Sequence, residues 1–370
     1  MHLQSQWFKT QLLPGDHLNS LMTVYPGYLS QFLEIPQLSK GLKASDCGLG
    51  LVVPLGRLCR YVLAQSAFRA FFGEHLFEVE PEFATIYQRW EDASWKIFYN
   101  FPHILAPQLQ KDRKRVIASL AEYLGRPESS RETAWIFTAM NNELGNLGLP
   151  VSDRAGFIMM ICWAINNNAH YIAFWMFSHI LCSPQLKTTI ENEINACFPS
   201  RSSDNECDMD KMVNECPHLN ALWAEALRLY NTSTAVRKAM SDCTVGNTTL
   251  HEGDQIFGPV RNFHLVDGIF GTPANQFDHT RFLQNSKLRK AKEYFPFGGG
   301  HTLCPGRNFA EREIYLFLAY ALRRFQVVVT TPDGQPIEKP QVPPIRMNLP
   351  SLAATAPTGD LFVSLQNKGS

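Results

Sequence analysis

Residues 297–325 read FGGGHTLCPGRNFAEREIYLFLAYALRRF: a glycine-rich turn, one cysteine, then a long apolar-periodic run. Ala310, Ile314, Phe317, Leu318, Ala321 and Phe325 recur at three- and four-residue steps, which predicts an amphipathic helix packed on a core. Cys304 stands just before the N-terminus of that helix, where free backbone N–H groups and the positive end of the helix dipole favour thiolate over thiol. A sulfur in that state is suited to serve as an anionic iron ligand. Gly298, Gly299, Gly300 and Gly306 would let the backbone turn tightly and approach a flat cofactor. A glycine-rich loop before a helix can also cradle a phosphate, but no Lys-Ser/Thr ending follows, which argues against a P-loop. The plainer alternative is a buried cysteine at a helix start.

Upstream, HLNALWAEALRLY (218–230) places Leu222, Glu225 and Leu229 on one apolar stripe, with Arg228 three residues after the acid. An acid on a core stripe needs a partner. Arg228 is one candidate, and Arg281 in FDHTRF (277–282) is expected to complete a buried Glu-Arg-Arg cluster. Such a cluster is costly to break and adds little net stability, so it reads as scaffold and not as catalyst. The alternative, a solvated helix face, is the usual fate of an i, i+3 Glu-Arg pair.

The rest of the chain sets the frame. With 370 residues, 45% hydrophobic and only 18% charged, it can bury a large core, which excludes a disordered tail or a disulfide-stapled miniprotein. Lys+Arg 34 balance Asp+Glu 34, so no net field draws it to nucleic acid. The nine cysteines contain no C-x-x-C pair, arguing against a zinc ribbon, and most are expected to be small buried hydrophobes. No secretory signal is visible at the start, so a reducing compartment is the default.

Ala155–Cys182 is the longest apolar stretch, with Asn166, Asn167, Asn168 and His170 at its middle. Amides and an imidazole at that depth would be costly in lipid, so a central helix of a soluble fold is expected. Ser152 and Asp153 offer its N-cap and Pro184 its stop, which predicts one helix of about thirty residues, far above the usual length. Residues 1–150 read as short helical segments broken by Pro and Gly, including a polar helix around LAPQLQKDRKRVIASLAEYL. Residues 330–350 are Pro-rich and extended, and DLFVSL (360–365) is a closing strand.

These residues together resemble the cytochrome P-450 superfamily of heme-thiolate enzymes. FGGGHTLCPG is similar to its F-x-x-G-x-x-x-C-x-G loop, Glu225-Ala-Leu-Arg228 to its E-x-x-R helix, and FDHTRF to its F-x-P-x-R-F segment with His279 in place of proline. The resemblance implies a mainly α fold, a helical prism with small β-sheets, and a single domain over 1–370. Within it 1–150 match weakly and 151–370 hold the heme-binding core. Before Phe71-Phe72-Gly73 the likeness fades, and no W-x-x-x-R heme contact is matched, so the fold is expected to be N-terminally shortened and its pocket wetter for the loss.

Heme b is the implied cofactor, with Cys304 as its axial thiolate. Phe297, Gly300 and Gly306 fall on the heme loop, while Arg237, in AVRKAM, and His301 are the implied propionate contacts. Thr302 stands where the family often has Arg or His. The pattern W-A-x-x-x-N over 163–168, followed by Ala173-Phe174-Trp175, is closest to the sterol 7-hydroxylase and prostacyclin synthase branch. There the acid-alcohol pair of the central helix falls on Asn168-Ala169, and Asn168 is the implied distal residue orienting water or oxygen. The alternative is that the asparagines satisfy a groove or kink in a buried helix. Leu352, Ala353 and Ala354 are the implied substrate neighbours.

The resulting expectation is a monooxygenase oxidising an apolar small molecule in secondary metabolism or lipid- or sterol-like oxidation. Electrons would come from an NADPH-dependent cytochrome reductase, with no nucleic-acid partner and a monomeric chain. A heme-dependent isomerase or dehydratase needing neither oxygen nor reductase is one alternative, and an inactive truncated heme-binding protein another. By resemblance the chain belongs at the endoplasmic reticulum membrane surface, though it carries no anchor of its own; otherwise it is cytoplasmic.

Overall fold

A computed structural model describes residues 2–44, 50–128, 131, 133–199, 206–300, 303–347 and 353–369. Helices dominate. The first part carries α1 (His2–Leu12), α2 (Asp16–Phe32), α3 (Ile35–Leu42), α4 (Leu55–Phe72), α5 (His75–Val79), α6 (Phe83–Ala93), α7 (Trp95–Phe98), α8 (Pro107–Gly125) and α9 (Trp135–Asn146). The second part carries α10 (Val151–Asn166), α11 (Ala169–Leu181), α12 (Pro184–Ala196), α13 (Met209–Glu215), α14 (Pro217–Tyr230), α15 (Val260–His264), α16 (Asp267–Phe270), α17 (Thr280–Gln284) and α18 (Arg307–Arg324). The strands are β1 (Leu51–Pro54), β2 (Thr234–Lys238), β3 (Cys243–Val245), β4 (Thr248–Leu250), β5 (Gln255–Pro259), β6 (Phe325–Thr330) and β7 (Phe362–Asn367). The expectation of a mainly α fold with small sheets is met.

α11 is apolar on almost every face, as a helix through the middle of a protein must be. It packs against α4, α14, α18 and α12, and one apolar core runs around it from Trp7 to Leu365. α18, the helix read from 307–325, is buried from Glu313 to Leu322 and packs on α11 and α2. An antiparallel sheet in the order β1-β7-β6 flanks this core, with Leu51 opposite Leu365 and Val329 opposite Val363. Two antiparallel pairs, β2 with β5 and β3 with β4, lie farther out and are largely exposed.

The central apolar stretch departs from its expected form. It is two helices, not one: α10 ends at Asn166 and α11 begins at Ala169, with Asn167 and Asn168 between them. The Asn166 side chain donates back to the Cys162 carbonyl at 3.0 Å, and the Asn168 side chain is used elsewhere in the fold. The asparagines therefore do make a break in a buried helical run. Ser152 and Asp153 are not the N-cap either; Pro150 holds that position and both lie in the first turn of α10. Pro184 is the first residue of α12, whose N-cap Ser183 accepts from the Leu186 N–H. The polar helix expected near residue 107 is α8, and the closing strand is β7. Among the described residues, no helix is long and apolar enough to cross a membrane.

Candidate heme-thiolate site

A cavity of about 620 Å3 opens between the α10–α11 break and the loop before α18. Cys304, Pro305 and Gly306 form part of its wall, with Phe297, Gly298 and Gly299 beside them. Gly298 and Gly300 hold φ of 74° and 63°, a left-handed turn that a side chain would strain. That turn lets the Cys304 N–H donate to the Phe297 carbonyl at 2.9 Å and presents the sulfur to the cavity. Gly306 is different: its φ is −76°, which any residue adopts. A Cβ there would sit 3.8 Å from Cys304 Sγ and 3.8 Å from Leu12 Cδ1, so what this glycine leaves is room beside the sulfur.

The backbone N–H groups of Gly306 and Arg307 favour the Cys304 thiolate, as the helix start led one to expect, but burial pushes the thiol up further than they bring it down. Without a metal the sulfur keeps its proton. A bound cation would reverse that, because a coordinating thiol is deprotonated outright.

Asn168, Ala169 and Ile172 of the α11 start, with Ala353 and Ala354, form another part of the cavity wall. The 353–355 stretch is held tightly. Thr232 N–H donates to the Ala353 carbonyl at 2.8 Å, Thr355 N–H to Tyr230 at 2.9 Å, and Trp175 Nε1 to Thr355 at 2.7 Å. Asn168 Oδ1 accepts from the Ala354 N–H at 3.1 Å. The expected neighbours Ala353 and Ala354 are thus on the wall, whereas Leu352, His301 and Thr302 lie outside the described residues. Arg237 on β2 also lines the cavity but is exposed to solvent, with its guanidinium donating to the Val236 carbonyl at 2.9 Å. Gly300 shapes the loop without lining the cavity.

Sequence reasoning missed one wall. Phe8 and Leu12 of α1 line the cavity, so the side expected to be open and wet carries apolar side chains. Their i, i+4 spacing was the available signal, but nothing local says what such a pair faces. It also missed Glu313, on the same face of α18 as Ala310 and Ile314. Its carboxyl is 2% exposed and accepts from Tyr25 Oη at 3.3 Å. Burial pushes it well above the ordinary carboxylate range, against the opposing hydrogen bond from Tyr25.

The cluster behind the loop is as expected. Glu225 and Arg228 are fully buried and paired twice at 2.7 Å, and Arg281 Nε reaches Glu225 at 3.4 Å. Arg228 also donates to the carbonyls of His264 and Ala274, which ties α14 to the segment after α15. His264 carries the tie onward: its Nδ1 faces the Arg228 carbonyl at 3.0 Å and so bears the proton, leaving Nε2 to accept from the Phe295 N–H at 3.1 Å. The buried ion pair thereby fixes the start of the cysteine loop, two residues before Phe297.

The same residues recur in known proteins. The model of the family described as Cytochrome P450 matches residues 171–352, which include Glu225, Arg228, Arg281 and Cys304. Over these residues, just under half of its length, the chain carries a cytochrome P450 domain. Cytochrome P450 monooxygenase calL of Penicillium decumbens is 23% identical over 368 residues, covering 92% of this chain and 67% of that protein. Cholesterol 7-alpha-monooxygenase of Cricetulus griseus is 25% identical over 345 residues, covering 86% of this chain and 67% of its own length. Cytochrome P450 monooxygenase poxD of Penicillium oxalicum is 25% identical over 252 residues, covering 65% and 51%. The chain therefore spans between about half and two thirds of these relatives. The likeness to sterol 7-hydroxylases read from the W-A-x-x-x-N pattern is borne out by the second of them. This P450 is a heme-thiolate oxidoreductase, and its relatives are named as monooxygenases. The residues present fit a heme: a thiol at the cavity wall, a glycine leaving space beside it, and a lining that is largely apolar.

Proposed function

We propose that this P450 is a monooxygenase acting on an apolar small molecule of secondary or lipid-like metabolism, with electrons supplied by an NADPH-dependent reductase. The observation that carries the reading is the largely apolar cavity whose wall includes both Cys304 and the Ala353–Ala354 stretch. Fungal relatives named as P450 monooxygenases support it. When held by Cys304, heme b would supply reductive activation of dioxygen, aided by electron donation from the cysteine thiolate.

The chain's own residues do the rest. Arg237 is the proposed propionate contact from β2, and Phe297, Gly300 and Gly306 shape the loop around the sulfur. Phe8, Leu12 and Ile172 exclude water from the reacting region, which limits wasteful release of reduced oxygen. Asn168 is the proposed distal orienting group. Its Oδ1 already accepts from Ala354, and its amide hydrogens are available to donate to a water or oxygen in the cavity. Docking at the endoplasmic reticulum surface, where the resemblance would put the chain, needs a contact other than a spanning helix from the described residues.

One observation favours a second reading. Asn168 and Ala169 put no carboxyl and no hydroxyl at the start of α11, so the usual proton-delivering pair is absent, as suits a heme isomerase or dehydratase. The experiment is reconstitution with hemin, a reduced carbon monoxide difference spectrum, and turnover with and without oxygen and NADPH. A Soret band at the thiolate position with oxygen-dependent product is the expected result. Product from a peroxide under nitrogen would replace the monooxygenase by the isomerase. Failure to bind heme would leave an inactive binding fold.

A further inference from the structure

At the start of α14, two helix ends meet over a pair of thiols. Cys197 is the C-cap of α12, and Cys216 is the N-cap of α14. Their sulfurs are 3.4 Å apart, and each residue is only 2% exposed. Both sulfurs face the Glu193 carbonyl, at 3.4 and 3.7 Å. The Glu193 carboxylate accepts from the N–H groups of His218 and Leu219 at 2.9 Å each, so the first turn of α14 is already capped from α12. No metal explains the pair: among the described residues no group of His, Cys, Asp and Glu is arranged to hold one. Cys207 lies close by, since the Asp208 N–H donates to the Cys197 carbonyl at 2.9 Å. It lines a separate cavity of about 370 Å3 with Met22, Met209 and Tyr320.

We propose that Cys197 and Cys216 are a dithiol that oxidises to a disulfide, stapling the end of α12 to the start of α14. The sulfurs are in van der Waals contact and need to approach by about 1.4 Å to reach bonding distance, a change within reach of side-chain rotation. Hydrogen peroxide is the oxidant. One thiolate attacks the peroxide, the O–O bond breaks and a sulfenic acid and hydroxide form. The second sulfur then attacks the first, an S–S bond forms and water leaves. In total two S–H bonds and one O–O bond are broken, the sulfurs lose two electrons, and two waters are produced. Burial raises both thiols, so closure is slower than oxidation of an exposed cysteine. The staple fixes the N-terminus of the helix that carries Trp223 and Leu227 to the cavity and Glu225 and Arg228 to the cluster behind it.

The test uses the full chain. After incubation with excess hydrogen peroxide, remaining thiols are blocked with iodoacetamide and the digested protein is mapped by mass. The expected product joins Cys197 to Cys216, is lighter by two hydrogens than the two reduced peptides together, and separates on dithiothreitol. The Cys216→Ala variant should lack it. Recovery of both residues as alkylated thiols, under exposure that already oxidises the exposed Cys243, overturns the proposal. A crosslink from Cys207 to either residue as the main product also overturns it. The map is read on the unaltered chain, so the result does not depend on whether the variant folds or on whether heme is bound.

Discussion

Asn168 Oδ1 accepts the Ala354 N–H at 3.1 Å, joining the break between α10 and α11 to a cavity wall 186 residues later in the chain. Asn168→Ala removes this acceptor and with it one partly buried hydrogen bond, a loss of about 0.5–1.5 kcal/mol. The expected outcome is an apolar azole ligand bound several-fold more weakly, with heme stoichiometry unchanged. Absorbance titration measures it. Wild-type affinity in the variant would show that the wall does not depend on this link.

Arg228→Met takes the cation from a fully buried carboxylate. Breaking one partner of such a pair costs about 3–5 kcal/mol, so the urea midpoint should fall steeply. Glu225→Leu combined with Arg228→Met should recover part of that loss, since no buried carboxylate is then stranded and Arg281 keeps its bonds to the Phe270 and Pro273 carbonyls. A double variant as unstable as the single one would mean that the lost bonds to the His264 and Ala274 carbonyls, not the charge, dominate.

Gly306→Leu tests the space beside the sulfur. Its backbone φ of −76° tolerates a side chain, so helix content by circular dichroism should match wild type. Heme stoichiometry should drop to a small fraction, because the new side chain would occupy the room left beside Cys304 Sγ. Full heme loading would refute that use of the glycine.

Three buried histidines predict the pH response. His170 and His179 are pushed down to about 3 and His264 to about 4, mainly by burial and then by nearby positive or titratable groups. Their unfolded value is near 6.5, so below it the unfolded chain binds protons that the folded chain refuses. Stability is therefore full above about pH 6.5 and is lost as pH falls toward 4, each histidine contributing up to about 1.4 kcal/mol per pH unit. Urea midpoints between pH 7 and 4.5 check this. A flat profile would place the histidines in contact with water.

Much of this site is written in short-range pattern. α18 and the Glu225–Arg228 pair lie on helical periodicities that the apolar stripe alone sets, and Cys304 stands where the glycines end. The break at Asn167–Asn168 was not legible in the same way. No Pro or Gly marks it; it depends on the Asn166 bond to Cys162 and on Ala354, which only the folded chain brings near. The same holds for Glu313 with Tyr25, and for Phe8 and Leu12, whose partners are some three hundred residues away in sequence. Long-range neighbours leave no local mark.

The sheet β1-β7-β6 has its last-made strand in the middle. While the chain is being synthesised, β1 and β6 emerge with nothing to join them, and each remains an open edge until the ribosome has released residues 362–367. Loss of even the final ten or so residues would thus leave two orphan strands and a protein prone to aggregate, although the heme loop itself would be intact.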